Sequence, residues 1–327
     1  MRVLITGGAG YIGSHVVREA IDQGHQVVVI DDLSHGYQKA VDSRAEFVKG
    51  NVGDYALVTK LLKDKNIQAV MHFAANIEVA ESVSRPDEYY HNNVTNSLNL
   101  LKAMKDSGVN RLVFSSTAAV YGNPEVTPIL EDHPRNPVNP YGRSKMMIEM
   151  MIEDFAKAFG LGYTLLRYFN VAGAHPNGDL GEDHIPESHL IPRILAAALS
   201  DRKANIYGTD YPTPDGTCIR DYVHVMDLAK AHLLALDETK PAQGTVFNLG
   251  SEKGFSVREI ISACERVTSQ KFVINEQSRR AGDPAILIAK SEKARKLLKW
   301  QPQYSDIDSI IAHAWQWHSK NPKGYRS

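Results

Sequence analysis

The sequence predicts an α/β fold in which a doubly wound parallel sheet is followed by a smaller C-terminal α/β lobe for substrate binding. In the first half of the 327 residues, short apolar and β-branched runs alternate with helical stretches, as in consecutive βαβ units. In the second half, long stretches rich in Gly, Pro, His and Asn separate smaller elements, and such loops in compact enzymes often bind ligands. We therefore expect a cofactor-binding domain over residues 1–170 and a second lobe over residues 171–327, with later segments able to cross back into the first.

The first elements form a strand–turn–helix unit. Arg2–Thr6 is a short apolar run typical of a buried strand, and a helical stretch covers residues 11–23. Between them, Gly7 permits a tight turn, Gly10 lets the backbone approach a pyrophosphate, and Gly13 lets the helix pack closely on the strand. The pyrophosphate then lies at the helix N-terminus, where free N–H groups favour an anion. The spacing here is G-x-x-G-x-x-G, which differs from the G-x-G-x-x-G pattern typical of dinucleotide-binding turns. The prediction of a Rossmann-like dinucleotide site therefore depends on the strand–turn–helix context.

The second strand, residues 26–30, ends in two acidic residues, Asp31 and Asp32. An acidic side chain at this place, about 20 residues after the glycine turn, binds the adenine ribose hydroxyls and repels a 2′-phosphate. Asp31 therefore favours NAD over NADP. Asp32 is also compatible with a residue that simply opens a loop.

The remaining elements continue the alternation. Strands are predicted at residues 45–48, 69–74, 111–116, 163–168 and 246–248, and helices at residues 54–65, 86–107, 141–159, 188–199, 225–236, 256–267, 291–298 and 306–318. Asp54 is a plausible N-cap of the first of these helices. In such sheets ligands bind at the carboxyl ends of the strands. The glycine turn, Asp31 and residues 73–75, 115–117 and 168–170 all lie at those ends, so we expect one common site.

Tyr141 and Lys145 are four residues apart, and on a helix this spacing puts both side chains on one face. A phenol normally titrates near pH 10, but a nearby positive charge favours the phenolate and lowers its pKa. Such a tyrosine can take a proton from a sugar or alcohol hydroxyl while a hydride leaves the adjacent carbon. The pair alone also fits a solvated helix face, and the predicted nicotinamide site upstream favours the catalytic interpretation.

Bulk properties narrow the class of protein. The formal net charge of -1 offers no basic field for nucleic acid. Cys218 and Cys264 are the two cysteines and lie far apart without metal-ligand spacing, so we predict no metal site and a reduced, cytoplasmic protein. No apolar run reaches the length that spans a membrane, and no membrane partner is expected.

Several longer motifs identify a family. The chain resembles the extended short-chain dehydrogenase/reductase superfamily, and within it the UDP-glucose (UDP-galactose) 4-epimerases, essentially from end to end. The superfamily features are the glycine turn and Tyr141-x-x-x-Lys145. The more specific motifs are SSTAAVYG (residues 115–122), LRYFNVAGAH (166–175), DGTCIRDYVHV (215–225) and RRAGDP (279–284).

This resemblance implies a mechanism. A tightly held NAD takes a hydride from carbon 4 of the hexose of UDP-galactose or UDP-glucose while Tyr141 removes the hydroxyl proton. Lys145 lowers the pKa of Tyr141 and holds the nicotinamide ribose, and Thr117 binds the reacting hydroxyl. The 4-keto sugar then turns its other face to the cofactor and the hydride returns, which inverts the centre without net oxidation.

The resemblance also assigns binding residues. With the glycine turn, Tyr141 and Lys145, the residues expected to line NAD are Tyr11, Ile12, Asp31, Asn51, Val52, Phe73, Ala74, Ala75, Asn92 and Phe169. With Thr117, the residues expected to hold the nucleotide sugar are Asn170, His189, Tyr207, Arg220, Arg280, Asp283 and Leu287. Asn51 stands where relatives commonly have an adenine-contacting Asp, and an amide still donates and accepts.

Three alternatives stay open at this stage. Leu287 is intermediate in size between residues that admit and exclude N-acetylated sugars, so a 4-epimerase of another UDP-sugar (UDP-N-acetylhexosamine, UDP-xylose/arabinose or UDP-glucuronate) is the alternative function. A dehydratase would need an Asp-Glu pair after Thr117, where this chain has Ala118 and Ala119. A non-catalytic NAD sensor would not need the intact set of Thr117, Tyr141 and Lys145. The helices at residues 87–105 and 141–159 are expected to form a homodimer interface, as in relatives.

Overall fold

The computed structural model describes residues 1–280 and 283–326. The strands, in chain order, are β1 (Arg2–Thr6), β2 (Gln26–Asp31), β3 (Glu46–Lys49), β4 (Ala69–His72), β5 (Arg111–Thr117), β6 (Gly162–Tyr168), β7 (Asn170–Ala172), β8 (Lys203–Tyr207), β9 (Ile219–His224), β10 (Gly244–Leu249), β11 (Gly254–Ser256), β12 (Val273–Gln277) and β13 (Ile286–Leu287). The α-helices are α1 (Tyr11–Asp22), α2 (Tyr55–Asp64), α3 (Val79–Ser84), α4 (Pro86–Tyr89), α5 (Asn96–Asp106), α6 (Pro140–Phe159), α7 (Leu190–Ala198), α8 (Val225–Glu238), α9 (Val257–Thr268), α10 (Glu292–Leu297) and α11 (Ile307–Lys320).

Seven parallel strands form the main sheet, in the order β10-β6-β5-β4-β1-β2-β3. The chain starts in the middle of this sheet, because β1 pairs with β2 on one side and with β4 on the other. The strand order reverses between β1 and β4, and at such a switch point the loops after the strands separate and leave a crevice for a ligand. The predicted doubly wound α/β fold is therefore confirmed.

Helices cover both faces of the sheet, and the apolar strand sequences follow from this. Val3 and Ile5 of β1 belong to one buried cluster, which includes α1 and α8. Leu4, between them, belongs to the cluster on the other face, which includes α2, α5 and α6. Successive side chains of a strand point to opposite faces, so a strand covered on both sides is apolar throughout.

Helix ends follow the capping residues of the sequence. The predicted N-cap Asp54 accepts a hydrogen bond from the Leu57 N–H at 3.0 Å. Asn139 caps α6 by accepting from the Gly142 N–H at 2.8 Å. The helix predicted over residues 86–107 is interrupted: a π-helical segment, Tyr90–Thr95, joins α4 to α5. Such π segments are frequent at functional sites.

The later chain contributes to both parts of the molecule. Strand β10 pairs with β6 in parallel, and α8 packs on α1, so both belong to the main sheet and its cover. The smaller lobe has its own buried cluster, formed largely by α7, α9 and α11 with β8. A short second sheet joins β7, β9, β11 and β13, and β8 pairs with β12.

The short strands of the second lobe are those that the sequence did not predict. Five residues of β12 are all exposed, so this strand has no alternation of apolar and polar residues to detect. Of the elements in the described ranges, none is a helix of the length and apolarity that crossing a membrane requires.

Candidate active site

One cavity of about 1690 Å³ runs along the carboxyl ends of the main-sheet strands and under the second lobe. Its wall brings together every residue predicted for the site: Gly7, Gly10, Tyr11, Ile12, Gly13, Asp31, Asn51, Val52, Phe73, Ala74, Ala75, Asn92, Thr117, Tyr141, Lys145, Phe169, Asn170, His189, Tyr207, Arg220, Arg280, Asp283 and Leu287. Two residues of the motif at 279–284, Ala281 and Gly282, lie outside the described residues.

The glycine turn leaves room for a ligand at one position only. Gly7 has φ +71°, and a Cβ on it would lie 2.5 Å from the Ala74 nitrogen. A Cβ on Gly13 would lie 2.2 Å from the Gly7 oxygen, so both are required by the protein's own packing. A Cβ on Gly10 would meet only the Gly7 oxygen, at an ordinary contact distance of 3.4 Å, so the protein itself leaves room for it at the start of α1. No side chain caps this helix N-terminus, which suits an anion such as a pyrophosphate.

Asp31 is tied to the glycine turn. Its carboxylate accepts hydrogen bonds from the Ala9 N–H at 3.0 Å and from the Leu33 N–H at 2.9 Å. Burial raises the pKa of Asp31, while these two donors act in the opposite direction. The carboxylate is therefore held in place at the end of β2, beside the turn, as the ribose-binding role requires.

Amide side chains line the neighbouring wall. Asn51 donates to the Asp32 carboxylate at 3.0 Å and accepts from the Gly53 N–H at 2.7 Å. Asn92, in the π-helical segment, donates to the Asn76 side-chain oxygen at 3.0 Å. These bonds fix the orientation of both amides toward the cavity.

Thr117, Tyr141 and Lys145 come from two adjacent elements. Thr117 is the last residue of β5, and Tyr141 and Lys145 lie one turn apart at the start of α6. Lys145 is 3% exposed, Tyr141 8% and Thr117 9%, so the alternative of a solvated helix face is wrong. The Lys145 Nζ donates to the Ser115 carbonyl oxygen at 2.9 Å and lies 4.9 Å from the centre of the Phe114 ring.

Burial controls the ionisation of this group. It lowers the pKa of Lys145 to about 7, and the negative charge of Glu149 opposes the shift. It raises the pKa of Tyr141 to about 12, while the hydrogen bond with Thr117 lowers it and the charge of Glu78 raises it further. The expected lowering of the Tyr141 pKa by Lys145 is not seen in the protein alone, where desolvation of the buried phenolate is the largest effect.

A buried asparagine missed by the sequence interpretation supports Tyr141. Asn93 donates to the Ser144 hydroxyl and to the Asn76 carbonyl oxygen, both at 3.0 Å. Ser144 in turn donates to the Tyr141 carbonyl oxygen at 2.7 Å. The π-helical segment is thereby bonded to the first turn of α6. Its neighbour Asn92 was recognisable from family resemblance, but the buried position of Asn93 depends on the π turn, which local sequence does not reveal.

The second lobe brings a group of cations to the other end of the cavity. Strand pairing puts Leu287 opposite Arg220. The Arg220 guanidinium pairs with the Asp283 carboxylate and donates to the Ile219 carbonyl oxygen. Arg280 stacks on the Tyr207 ring, with its guanidinium carbon 4.2 Å from the ring centre.

Arg193, on α7, is a further cation that the sequence did not single out. It lines the same cavity, and its hydrogen bond with Tyr207 is the largest cause of the lowered pKa of that phenol. Three guanidinium groups, those of Arg193, Arg220 and Arg280, therefore face one region. Guanidinium groups bind phosphate oxygens in bidentate fashion, so this end of the cavity suits a diphosphate.

His189 precedes helix α7, one turn before Arg193, and its side chain lies against two carboxylates. Its Nδ1 is 2.9 Å from Glu182 and 3.1 Å from Glu187, and His184 lies beside the same two residues. The sequence interpretation missed this group. The signal that could have found it is the spacing E-x-H-x-x-E-x-H over residues 182–189.

Comparison with known proteins agrees with this geometry. Residues 3–250 match the NAD dependent epimerase/dehydratase family. The UDP-glucose 4-epimerase of Lactobacillus helveticus is 53% identical over 99% of each chain. The structure of the UDP-glucose 4-epimerase of Bifidobacterium longum in complex with NAD+ and UDP has a TM-score of 0.95, with 38% identity over 99% of this chain and 100% of that one. The UDP-Glc/GlcNAc 4-epimerase of Campylobacter jejuni has a TM-score of 0.84, with 42% identity over 98% of this chain and 99% of that one.

The chain therefore belongs to the NAD dependent epimerase/dehydratase family, in the branch of the UDP-glucose 4-epimerases, because the family match, the 53% identical relative and the shared fold all agree.

Proposed function

We propose that the protein interconverts UDP-galactose and UDP-glucose by NAD-dependent hydride transfer at carbon 4. The observation that carries this proposal is the joint presence of the glycine turn, the Thr117–Tyr141–Lys145 group and the arginine group in the wall of one cavity. The family membership of the chain supports the same reaction.

The residues at the glycine turn fit NAD. The open space at Gly10 and the uncapped start of α1 suit the pyrophosphate, and Asp31 suits the adenine ribose. NAD bound there would supply the hydride acceptor and donor for carbon 4, and its oxidised ring would bring a positive charge. A positive charge near Tyr141 would counter the effect of burial and favour the phenolate.

The chain's own residues handle the proton. Tyr141 takes the proton of the carbon-4 hydroxyl, and Thr117, which is hydrogen-bonded to Tyr141, holds that oxygen. Lys145, fixed by its bond to Ser115, contributes charge and binds the nicotinamide ribose. The reverse step returns the same proton to the oxygen of the 4-keto sugar, so the reaction needs no other acid or base.

The arginine group supplies the anchoring that the reaction requires. The sugar must present both faces to one cofactor, so it cannot itself be bound tightly. Firm binding of the diphosphate by Arg193, Arg220 and Arg280 would provide the remote binding energy. Asp283, beside Arg220, suits a ribose hydroxyl of the uridine.

Other UDP-sugars form the second candidate, favoured by one side chain. Leu287 lines the cavity and is only partly buried, packed against the buried cluster that contains Tyr121 and Phe169. Its intermediate size is compatible with an N-acetyl group, and the Campylobacter jejuni relative is named for both sugars. Dehydration is disfavoured, because Ala118 and Ala119 cannot supply an acid and a base.

We also propose a division at residue 170, with residues 1–170 binding NAD and residues 171–327 binding the nucleotide sugar. The strand β10 and the helix α8 join the first part from later in the chain. Limited proteolysis tests this division: we expect cleavage near residue 170, with the two fragments held together under native conditions by β10, and cleavage only at other places would contradict it.

A homodimer through α5 and α6 is proposed from their exposed apolar side chains. Met147 is 40% exposed and Met150 48%, and Leu98 of α5 is exposed as well. Helix faces of this kind are commonly covered by a partner. Sedimentation at micromolar concentration should give the mass of two chains, and the mass of one chain would overturn the proposal.

A cytoplasmic location is also proposed, and it is supported by the buried free thiols of Cys218 and Cys264. Cell fractionation tests it.

One assay tests the function. Purified protein without added NAD is incubated with UDP-galactose, and the products are separated by chromatography. Formation of UDP-glucose is expected, since a reaction that returns its hydride needs no cofactor turnover. Bound NAD without conversion, together with turnover of UDP-N-acetylgalactosamine, would favour the second candidate. Bound NAD without conversion of any UDP-sugar would favour a sensor.

A further inference from the structure

Four side chains of one loop converge in the cavity wall, and of these only His189 was expected to contact the nucleotide sugar. They are Glu182, His184, Glu187 and His189, and their ligating atoms all lie within 4.8 Å of one another. Glu182 is 3% exposed, and the other three are half-buried. Two carboxylates and two imidazoles in such a space must share either protons or a cation, because unpaired buried carboxylates are costly.

The spacing of these atoms fits a tetrahedral ion. Zinc lies about 2.0–2.2 Å from nitrogen and oxygen ligands, so two ligands at the tetrahedral angle are roughly 3.4 Å apart. Glu182 Oε1 is 3.2 Å from His184 Nδ1 and 2.9 Å from His189 Nδ1. Glu187 Oε2 is 3.7 Å from His184 Nδ1, and Glu187 Oε1 is 3.1 Å from His189 Nδ1. These four nitrogen–oxygen distances lie around the tetrahedral value.

The orientation of His184 fits a metal ligand. Its Nδ1 is buried and has no hydrogen-bond partner, although the Glu182 oxygen lies 3.2 Å away. A protonated imidazole paired with that carboxylate would point its N–H at the oxygen. A neutral imidazole whose Nδ1 lone pair lies beside that carboxylate oxygen would instead offer two ligands to one ion.

We propose that Glu182, His184, Glu187 and His189 form a binding site for one divalent transition-metal ion of the zinc type. Neutral imidazoles and carboxylates are the ligand types that zinc takes, and two carboxylates balance its charge. All four residues line the cavity, which gives the ion a path of entry.

The site would stiffen the loop that closes one side of the cavity. The loop is held from outside by Trp317, whose Nε1 donates to the Glu182 carbonyl oxygen at 3.2 Å, and by Tyr325, whose hydroxyl accepts from the Gly181 N–H at 3.0 Å. On the inside, the His184 ring contacts the Tyr11 ring edge-on at 6.3 Å between centres. An ion here joins four loop residues beside the cofactor-binding helix α1, so its role is structural and independent of the proposed epimerisation.

Metal binding is measured directly. Untagged protein is stripped with EDTA, desalted, dialysed against buffered ZnCl2 at pH 7.5 and analysed by mass spectrometry for metal per chain. Wild type is compared with His184→Gln and Glu187→Gln. The matched control is His175→Asn, which changes a histidine on the same loop that pairs with Asp179 outside the cluster. Far-ultraviolet circular dichroism of each variant verifies the fold.

We expect one zinc ion per chain in wild type and in His175→Asn, and binding weaker by at least about 100-fold in the two cluster variants, since even outer-shell changes cost 10–100-fold. Cobalt bound in place of zinc should give the visible absorption band of tetrahedral Co2+, and zinc should raise the unfolding temperature of wild type but not of His184→Gln. The proposal would be overturned if folded wild type bound no stoichiometric zinc, or if wild type and His184→Gln bound equal amounts. The four side chains would then share protons among themselves and bind no ion. Turnover of UDP-galactose does not enter this test.

Discussion

The Lys145 Nζ donates a hydrogen bond of 2.9 Å to the carbonyl oxygen of Ser115, two residues before Thr117 on β5. The bond joins helix α6, which carries Tyr141, to the strand that ends in Thr117. It also directs the ammonium to the floor of the cavity, where burial lowers its pKa to about 7. The lysine is therefore positioned by the sheet and not by Tyr141.

Replacing Tyr141 by Phe should abolish epimerisation while leaving NAD bound. The phenol is the only group in the proposed mechanism that takes the proton, and general acid–base catalysis typically contributes about 10²–10⁴-fold. Turnover of UDP-galactose and the absorbance of bound NAD measure the two effects. Thr117→Ser, which keeps the hydroxyl, is the control and should retain most activity. A Tyr141→Phe enzyme with near wild-type turnover would refute the mechanism.

Two alanine substitutions in the glycine turn should have opposite consequences. Gly10→Ala puts a methyl group into the open space at the start of α1, so the protein should fold normally but bind NAD at least about tenfold, or about 1.4 kcal/mol, more weakly. Gly13→Ala collides with the Gly7 oxygen and should destabilise the fold by about 1–3 kcal/mol. Urea unfolding and titration with NAD distinguish these effects. If both variants lost only stability, the pyrophosphate would not lie at Gly10.

Arg193 and Arg220 should both contribute to binding of the diphosphate. Charge-assisted hydrogen bonds contribute about 1.5–3 kcal/mol each, so Arg193→Met and Arg220→Met should each weaken UDP binding by roughly 10- to 100-fold. Isothermal titration with UDP measures this. Arg279→Met is the matched control, because Arg279 pairs with Asp210 and does not line the cavity. Unchanged UDP affinity in Arg193→Met would remove that residue from the site.

Acid should destabilise the protein through its buried histidines. Burial lowers the pKa of His15 and His232 to about 4 and that of His72 to about 3. The unfolded chain titrates near 6.5, so between these values it binds more protons than the folded chain. The contribution is complete above pH 6.5 and is lost as the pH falls toward 4. At pH 5 the loss is about 2 kcal/mol per histidine.

Urea unfolding of wild type and of His232→Gln at pH 7.5 and pH 5.0 tests this dependence. The free energy of unfolding should fall less on acidification in His232→Gln than in wild type. His91→Gln changes an exposed histidine and should behave as wild type. An equal pH dependence in His232→Gln and wild type would show that His232 is not buried in its neutral form.

Leu287 should set the range of sugars. Leu287→Tyr adds bulk to the cavity wall and should abolish any turnover of UDP-N-acetylgalactosamine while retaining that of UDP-galactose, because the extra ring occupies the space of the N-acetyl group. Leu287→Ser should do the reverse. The ratio of kcat/KM for the two sugars is the quantity to compare, and an unchanged ratio in both variants would place the sugar elsewhere.

The main sheet was predictable because its signals are local. One contiguous segment contains the strand Arg2–Thr6, the glycine turn and the helix that follows. The spacing of its apolar residues and its composition alone indicate a strand, a tight turn and a helix. The same holds for Tyr141 and Lys145, whose common face follows from helical spacing. By contrast, β12 is exposed along its whole length, and β8 pairs with it across about 70 residues of chain, so neither carries a pattern that identifies it.

The sequence by itself determined the α/β order, the glycine turn and the spacing of Tyr141 and Lys145, since each depends on neighbours within a few residues. Only the tertiary structure decided that Arg193 joins Arg220 and Arg280, that Asn93 supports Tyr141, and that burial raises the pKa of Tyr141 to about 12. These properties depend on which distant segments meet and on how much water they exclude. Desolvation is a property of the packed surroundings, and spacing along the chain does not contain it.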